Sequence, residues 1–596
     1  MSSRGPAAPR VRRHRAGVYH NSAGAQTSGR YHRRLAGGAV VRFRSAIERK
    51  RLKQGSSQSF DYIVVGAGSA GCVLANRLSA ESGVSVLVLE AGGSDAHWTI
   101  DMPLGFTRAF LNPAFGWGYC SEPEPQLNGR TLWLPRGRLI GGTSTINGMF
   151  YMRGHRLDFD GWRDRGCTGW GSADVLPYFK RMETSWRGAG KYHGDRGPLH
   201  VRAIETTRLL HEPLMQTAAA AGFATSDDLH GDVQEGFARG EVTITPRGRR
   251  ASASRAYLYP ALGRRNLKLI SKALATRVIV EGRRAIAVEY VAAGQTHRVR
   301  ADREVVLAGG TYNSAQLLML SGIGPADHLR AVGVQPVHDL RGVGANLSEH
   351  PRVPIDFAAS KPVTFLNELR ADKVLLSAAL WKFFGTGAFA SQLNSCNIVI
   401  RTRPGLVQPD IQLMSNPVRM DAKIWFPGIG ERQEHRVTAD AVVLHPEARG
   451  HVRLRSSNPL DAPRVHVNAF GSAADIDAAL RGVEVARHIY STRPQADLIA
   501  REISPGPQRK SRADLEEYIR TTGTITQHPV GTCKMGIDDD AVVDPQLRVR
   551  GIEGLRVADA SVMPTVTGGN TNAPTIMIAE KASDLILGRQ LPPADI

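Results

Sequence analysis

The sequence has little cysteine and no long apolar run. Its five cysteines are scattered along 596 residues, and no two have the CxxC spacing of a zinc or redox site, which favours a reducing compartment. The longest apolar candidate, VLLSAALWKFF, is short and interrupted by Lys382. The sequence therefore predicts a protein that does not span a membrane, with at most peripheral membrane association. The 19 histidines include no HExxH array, so we predict no catalytic metal.

Acidic residues are nearly absent from the first 60 positions. This segment holds fourteen Lys or Arg and one Glu, so it carries +13 of the formal net charge of +21. The other 536 residues carry only +8, without a basic stripe interleaved with aromatic residues. Nucleic-acid binding by the main body is therefore not expected.

The basic leader, residues 1–59, has no apolar core of the kind a secretory signal requires. Its Arg and Ser content resembles an organellar transit peptide, although a disordered tail or a mis-assigned start is the preferred explanation. We expect a cytoplasmic protein, possibly peripheral to the membrane, or a mitochondrial one if the leader is a transit peptide.

The segment DYIVVGAGSAGCVLANRLSAESGVSVLVLEAGG predicts a βαβ unit. Gly66, Gly68 and Gly71 form a GxGxxG turn between strand and helix, with Ser69 at the start of that helix. The glycines allow a tight turn, the approach of a pyrophosphate and close helix–strand packing. Glu90 ends the second strand, where it can accept a hydrogen bond from a ribose hydroxyl; the alternative is a surface Glu beside a tight turn.

The length and the spacing of later strands predict two packed domains, one of them discontinuous. We expect an α/β fold, in which a Rossmann-like dinucleotide-binding domain carries an inserted α+β substrate-binding domain. The first domain is predicted from residues 60–159, 261–350 and 521–592. The second is predicted from residues 160–260 and 351–520.

Several blocks in order, over residues 60–590, resemble the glucose-methanol-choline (GMC) family of flavin-dependent oxidoreductases. They are DYIVVGAGSAGCVLANRLS with EAGG, PRGRLIGGTSTINGMFYMRG, GGTYNSAQLLMLSGIGP, GVGANLSEHP, EARGHVRLRSSNPLDAPRVHVNAF and HPVGTCKMG. Within GVGANLSEHP, the residues Ala345, Ser348 and Glu349 are ordinary variants of the family pattern, and His350 is expected to be a structural or supporting histidine rather than a base.

The block PRGRLIGGTSTINGMFYMRG resembles the flavin-binding loop of this family. By resemblance, Gly141, Gly142, Thr143, Ser144 and Asn147 line the flavin with backbone and short polar groups. Some family members attach FAD through a histidine in this stretch, and residues 144–147 contain none. The resemblance therefore implies FAD that is bound noncovalently.

The resemblance also singles out a catalytic pair. His528, in QHPVGTCKMG, corresponds to the family's catalytic histidine, and an imidazole with a pKa of about 6.5 suits a base at neutral pH. Asn570 would donate a hydrogen bond to the substrate oxygen, with Asn572 as the second choice. The simpler readings are a packed histidine and a turn asparagine in TGGNTN.

Four further residues are expected at the cofactor: Asp559, Ala560, Thr571 and Asn572. The helix that follows Asn572 would point its N-terminus at the flavin N1–C2=O edge, where negative charge accumulates. Asp559 would lie near the ribityl-pyrophosphate region, unless it is a buried cap. Cys533 is interpreted as a packing residue.

The sequence thus predicts FAD-dependent oxidation of a small-molecule alcohol to an aldehyde or ketone. His528 would act as general base, hydride would pass to flavin N5, and electrons would leave to a non-oxygen acceptor such as a quinone. The alternatives are an alcohol oxidase that uses O₂, a choline-specific dehydrogenase and a lyase of the same family. A binding protein that docks through its cationic leader is the alternative outside enzymes.

Overall fold

The computed structural model describes residues 58–429 and 433–596. The expectations for the basic leader therefore fall on residues that are, except for the last two, outside the described part of the chain. Among the described residues, no helix combines the length and the apolarity needed to cross a bilayer.

A seven-stranded sheet contains the predicted βαβ unit. Its central strand, Ser59–Val65, pairs in parallel with Val86–Glu90 and with the end of Gln295–Leu307. Two further strands join in parallel at either side. The parallel strands are Ser59–Val65, Val86–Glu90, Leu267–Ser271, Gln295–Leu307 and Leu555–Val557. The expectation of a Rossmann-like α/β fold is confirmed.

Two antiparallel strands extend this sheet. Gln295–Leu307 pairs through its first half with Arg284–Ala292, which in turn pairs with Ala273–Glu281. The apolar run NLKLISKALATRVIVE does not form one strand: Lys272, at φ 55°, breaks it between Leu267–Ser271 and Ala273–Glu281. The two halves therefore lie in different parts of one sheet.

A second seven-stranded sheet is antiparallel throughout. Helix Ala473–Ser491 packs against it, and the rings of Phe357 and Tyr490 stack there with centroids 4.4 Å apart. The strands of this sheet are Gly236–Ala238, Pro351–Ala359, Cys396–Ile400, Ile411–Asn416, Arg436–Val443, Ile499–Ser504 and Thr524–Ile525.

The longer helices cover both sheets. The apolar residues of most of them join the large core, whereas Phe106 and Trp381 belong to a separate small apolar core. The helices of six or more residues are Ser69–Leu78, Phe106–Leu111, Arg156–Asp164, Ser172–Met182, His211–Ala220, Gly310–Leu320, Ala326–Ala331, Ala371–Phe384, Ala473–Ser491, Arg512–Thr522 and Asn572–Ile586. Shorter strands, such as Tyr119–Cys120 with Trp133–Leu134 and Glu183–Ser185 with Leu199–Ala203, lie between them.

Each sheet places particular loops close together. In the parallel sheet, the strand ends lead into Gly66, Ala308 and Ala558, so three loops meet at the carboxyl edge where α/β folds bind ligands. In the antiparallel sheet, Pro351 pairs with Ile525. That pairing places the residues just before Pro351 beside those just after Ile525.

Candidate active site

The GxGxxG turn forms a cradle that only glycine can build. Gly66 has φ 103°, and a Cβ there would lie 2.5 Å from the Ala308 carbonyl oxygen. A Cβ on Gly71 would lie 1.8 Å from the Gly66 carbonyl oxygen, whereas one on Gly68 would make only ordinary contacts. Helix Ser69–Leu78 then begins with no side-chain cap and no acidic residue in its first turn. Its N-terminal N–H groups are therefore available to an anion.

Glu90, at the end of the second strand, is buried and bonded to the backbone. Its carboxylate accepts hydrogen bonds from the N–H of Ala67 at 2.8 Å and of Gly92 at 2.7 Å. These bonds connect Glu90 to the loop before Gly68. Each carboxylate oxygen keeps capacity for a further donor such as a ribose hydroxyl.

The loop at Gly141 and Gly142 lies directly on the glycine turn. Gly141 N–H donates to the Ala67 carbonyl at 2.7 Å, and a Cβ on Gly142 would lie 2.8 Å from the Gly68 Cα. The Ser144 hydroxyl donates to the Gly141 carbonyl at 2.6 Å, and Thr143 Oγ1 accepts from the Gly137 N–H at 3.2 Å. The two predicted cofactor loops thus form one surface.

Arg250 holds the end of this loop, and sequence reasoning did not find it. Its Nη1 donates to the Asn147 backbone carbonyl at 2.7 Å and to Asn147 Oδ1 at 3.0 Å, and its Nε donates to the Ile100 carbonyl at 2.9 Å. Burial lowers the pKa of Arg250 to about 9. The polar face of Asn147 is therefore fixed by a fully buried guanidinium.

The C-terminal helix Asn572–Ile586 meets the first helix at both ends. At the N-terminus, the Ser69 hydroxyl donates to Asn572 Oδ1 at 2.8 Å. Further along, the buried Glu580 accepts from the Arg77 guanidinium at 2.7 and 2.9 Å. The Thr571 side chain makes no capping bond, so this helix also presents free N–H groups beside Ser69.

Asp559 is a buried cap. Its Oδ2 accepts from Gly310 N–H at 2.8 Å and from the Ser314 hydroxyl at 2.6 Å, and its Oδ1 accepts from Ser561 N–H at 2.8 Å. The capping alternative considered from the sequence thus describes its contacts, and Ala560 follows it in the same turn. A direct contact between Asp559 and a cofactor remains a prediction.

His528 and Asn570 meet, although 42 residues separate them. Asn570 Nδ2 lies 2.9 Å from His528 Nε2, and both side chains are partly accessible. Asn570 Oδ1 has no hydrogen-bond partner among the described residues. The amide and the imidazole nitrogen that the sequence singled out as a pair therefore lie within hydrogen-bond distance of each other.

Glu349, read from the sequence as an ordinary variant, anchors the histidine backbone. Its Oε1 accepts from the His528 N–H at 2.6 Å and from the His350 N–H at 2.9 Å. Burial raises the pKa of Glu349 to about 7, even though nearby Arg136 opposes the shift. One carboxyl thus ties together two loops that are 179 residues apart in the chain.

The ring of His350 determines the tautomer of His528. His350 Nε2 lies 3.1 Å from the Leu444 carbonyl, which can only accept, so Nε2 carries the proton. Burial lowers the pKa of His350 to about 3, so the ring is neutral and its Nδ1 is an acceptor.

His528 Nδ1 lies 3.0 Å from His350 Nδ1 and must therefore donate to it, with Thr526 Oγ1 2.9 Å away. The lone pair of His528 is consequently on Nε2, which faces Asn570. This is the atom that a base needs. His350 thus supports His528, as the sequence led us to expect, and no signal in the sequence pointed to Thr526 or Leu444.

The surroundings of His528 favour its neutral form. Burial holds its pKa well below the usual range, and the neighbouring His350 acts in the same direction. The positive charges of Arg136 and Arg352 lower the pKa further. An imidazole in this setting is unprotonated near neutral pH and can accept a proton.

The residues fit a dinucleotide such as FAD. The cradle has room at Gly68, the helices that begin at Ser69 and Asn572 both lack acidic residues in their first turns, and their N-termini are joined by a hydrogen bond. Such a pair of helix N-termini favours negative charge, as on a pyrophosphate or a reduced flavin. The fold and this cradle define the class as a dinucleotide-binding α/β oxidoreductase.

The family follows from comparison with known proteins. Residues 60–352 and 446–579 match the N-terminal and C-terminal family models described as GMC oxidoreductase. The chain belongs to the GMC oxidoreductase family, whose members are FAD-dependent flavoproteins.

Among the relatives are two choline dehydrogenases. The oxygen-dependent choline dehydrogenase of Brucella canis is 42% identical over 531 residues, which cover 89% of this chain and 96% of the relative. The mitochondrial choline dehydrogenase of Homo sapiens is 41% identical over 568 residues, with 93% and 94% covered. An FAD-dependent oxidoreductase of Chaetomium thermophilum has a similar structure, with a TM-score of 0.81, 26% identity, and 89% and 99% of the chains covered.

Proposed function

We propose that the protein oxidises an alcohol to an aldehyde or ketone with FAD bound noncovalently and with His528 as general base. The observation that carries the proposal is the 2.9 Å pair between His528 Nε2 and Asn570 Nδ2, together with a hydrogen-bond chain that leaves the lone pair on that nitrogen. Family membership supplies the reaction class, which is oxidation of a CH–OH donor.

Each residue of the pair has a distinct task. FAD, when bound, supplies the acceptor for the hydride of the alcohol carbon. His528 Nε2 takes the hydroxyl proton, and the Asn570 amide N–H donates to the oxygen on which negative charge develops. His350 accepts from His528 Nδ1–H throughout, so the imidazole keeps its orientation as it becomes charged.

The proposed cofactor residues divide into backbone and side-chain groups. Gly66, Gly68 and Gly71 would receive the pyrophosphate with Ser69, and Glu90 would accept from the ribose. The loop of residues 141–147 would lie against the flavin, as would Ala560, Thr571 and Asn572. We assign FAD binding to residues 60–159, 261–350 and 521–592, and substrate binding to residues 160–260 and 351–520.

Two experiments test this core proposal. Anaerobic addition of alcohols to the purified yellow protein is expected to bleach the flavin absorbance; no bleaching by any alcohol in a broad panel would contradict the proposed oxidation. Acid precipitation is expected to release all flavin into the supernatant, because residues 144–147 offer no histidine for attachment. Flavin that stays with the pellet would contradict noncovalent binding.

The electron acceptor is proposed to be a quinone or similar compound. An alternative is molecular oxygen, which is supported by the name of the Brucella canis relative, an oxygen-dependent choline dehydrogenase. Turnover is to be followed with a quinone or dye and, separately, as hydrogen peroxide. Rapid peroxide production in air, with poor dye reduction, would contradict the dehydrogenase proposal and favour an oxidase that uses O₂.

Choline is the second candidate substrate, since relatives from Brucella, Sinorhizobium and Homo sapiens carry that name. The charges at His528 disfavour it, because Arg136 and Arg352 both lower the pKa of the base. The Glu349 carboxyl at the His528 N–H acts in the opposite direction, but its pKa of about 7 leaves it only partly ionised near neutral pH. A quaternary ammonium needs an aromatic cage with compensating negative charge. We therefore expect neutral alcohols to surpass choline in kcat/KM, and the opposite ranking in the alcohol panel would establish choline.

We propose a cytoplasmic location, free or at a membrane surface, with a mitochondrial location if residues 1–59 act as a transit peptide. The human relative named as mitochondrial supports the second option. Expression with a fluorescent tag at the C-terminus, with and without residues 1–59, tests the two. The same distribution with and without residues 1–59 would contradict the transit-peptide hypothesis.

A further inference from the structure

One helix of the molecule turns an apolar face to solvent. Helix Ala371–Phe384 reads ADKVLLSAALWKFF and is apolar on nearly all sides. Its inner side is anchored by Trp381, which is 6% exposed and whose Nε1–H donates to the Gly248 carbonyl at 2.9 Å. Its outer side chains have exposed fractions between 60% and 76%. They are Leu375, Leu376, Phe383 and Phe384.

A neighbouring loop adds further exposed apolar side chains. Trp425 connects the two segments, because its carbonyl accepts from the Ala371 N–H at 2.9 Å and its own N–H donates to the Leu369 carbonyl at 3.1 Å. The exposed side chains of this loop are Met420, Ile424, Phe426 and Ile429. We call these four, with the four of the helix, the exposed apolar face.

Single apolar side chains at a protein surface need no explanation, but eight in two adjoining segments do. A helix that is apolar all round is expected to be covered on all sides, in a core or by lipid. Here the described residues cover one side only. The other side therefore indicates a partner that offers apolar contact.

The charge around the exposed apolar face is positive. Residues 361–384 and 418–429 contain six Lys or Arg and three Asp or Glu, a net charge of +3. The acidic groups are largely used by near neighbours, since Arg370 pairs with Asp372 and Lys373 with Glu368. Lys382 and Lys423 are exposed, and neither has an acidic partner within residues 58–429 and 433–596. These two ammonium groups are free for an anionic partner.

We propose that the exposed apolar face docks on a membrane surface that contains anionic lipid. Leu375, Leu376 and Phe383 would enter the boundary between headgroups and acyl chains, while Lys382 and Lys423 would contact lipid phosphates. The basic leader does not suit this face as an occupant, because residues 1–57 carry fourteen Lys or Arg and one Glu, the same sign of charge.

Docking in this way has a consequence for the candidate active site. The inner side of helix Ala371–Phe384 packs on a small apolar core that includes Trp381, Phe389 and Met149. Met149 follows Asn147 of the cofactor loop by two residues, and its N–H donates to Asn147 Oδ1 at 3.0 Å. The docked face is thus continuous through that core with the cofactor loop. The docking itself does not rest on the proposed alcohol chemistry.

Vesicle flotation of the full-length yellow protein tests the proposal. Vesicles of phosphatidylcholine mixed with phosphatidylserine are expected to bind it more tightly than vesicles of phosphatidylcholine alone. The double variant Leu375→Ser/Phe383→Ser should lower the bound fraction about tenfold, also at a salt concentration that screens the charge of the leader. Lys382→Glu/Lys423→Glu should weaken the preference for phosphatidylserine relative to the parent protein at the same salt concentration, because the basic leader is present in both.

A matched control tests whether the position of the substituted leucine matters, and not merely the loss of an exposed apolar side chain. Leu460 is 72% exposed, like Leu375 at 73%, but lies elsewhere on the surface, so Leu460→Ser should bind as the parent protein does. Unchanged flavin absorbance and thermal unfolding would show that the variants fold. Binding that survives Leu375→Ser/Phe383→Ser overturns the proposal. So does a lack of vesicle binding by the parent, or a self-association in solution that this double variant abolishes.

Discussion

The two large sheets contribute to the site in different ways. The parallel sheet ends in glycine loops, so what it offers a ligand is backbone N–H groups at the start of helix Ser69–Leu78. The antiparallel sheet offers titratable side chains, because the pairing of Pro351 with Ile525 brings His350 to His528. The glycine turn is thus formed by a few consecutive residues, whereas the two histidines that meet at the base lie 178 residues apart. Variants on the two sides should separate these contributions.

The largest effect is expected on the glycine side, with Gly71→Ala. The new Cβ would lie 1.8 Å from the Gly66 carbonyl oxygen, and neither backbone can move away without opening the turn. We expect nearly complete loss of bound FAD, measured as flavin absorbance per protein. In Gly83→Ala the Cβ meets nothing within 4 Å, so this control should keep its flavin. Full flavin content in Gly71→Ala would refute the cradle.

On the side-chain sheet, His528→Ala should lower kcat/KM by about 10²- to 10⁴-fold while the flavin content stays unchanged. The reason is that the imidazole takes part in proton transfer and not in the cradle. His297→Ala, at an exposed histidine on the parallel sheet, serves as control. Turnover of His528→Ala at the parent rate would remove His528 from the mechanism.

A smaller loss is expected for His350→Leu, which removes the acceptor of the His528 Nδ1–H bond. Without it the imidazole can rotate or change tautomer, and kcat should fall by about 10- to 100-fold with flavin content retained. Unchanged kcat in His350→Leu would reduce His350 to a packing role.

The smallest effect is expected from removing a positive charge near His528. Neutral His528 is the active form and its pKa is lowered by burial, so kcat/KM should fall only when the pH drops below 6.5. Arg136→Gln removes a cation that lowers this pKa, and the acidic limb should therefore shift upward, by less than about one pH unit. Steady-state rates at several pH values measure the shift. A downward shift would contradict the electrostatics described above.

The sequence allowed much of the parallel sheet to be predicted. The run before Gly66 and the glycine spacing identify strand, turn and helix, because each restriction acts between near neighbours. Even there the break between two strands at Lys272 was not predicted, since a single residue at positive φ does not change the pattern of an apolar run. Arg250 was missed for another reason: its partner Asn147 lies 103 residues away.

The sequence by itself determined the class of the protein: an α/β fold with a dinucleotide turn and a histidine in a recognisable block. Only the tertiary structure decided how that histidine is held, with Glu349 under its backbone and His350 at Nδ1. It also showed that residues 58–429 and 433–596 leave one side of helix Ala371–Phe384 uncovered. The physical reason is the range of the forces: backbone conformation is restricted by adjacent residues, whereas tautomers, pKa values and exposure depend on whichever distant groups the fold brings into contact.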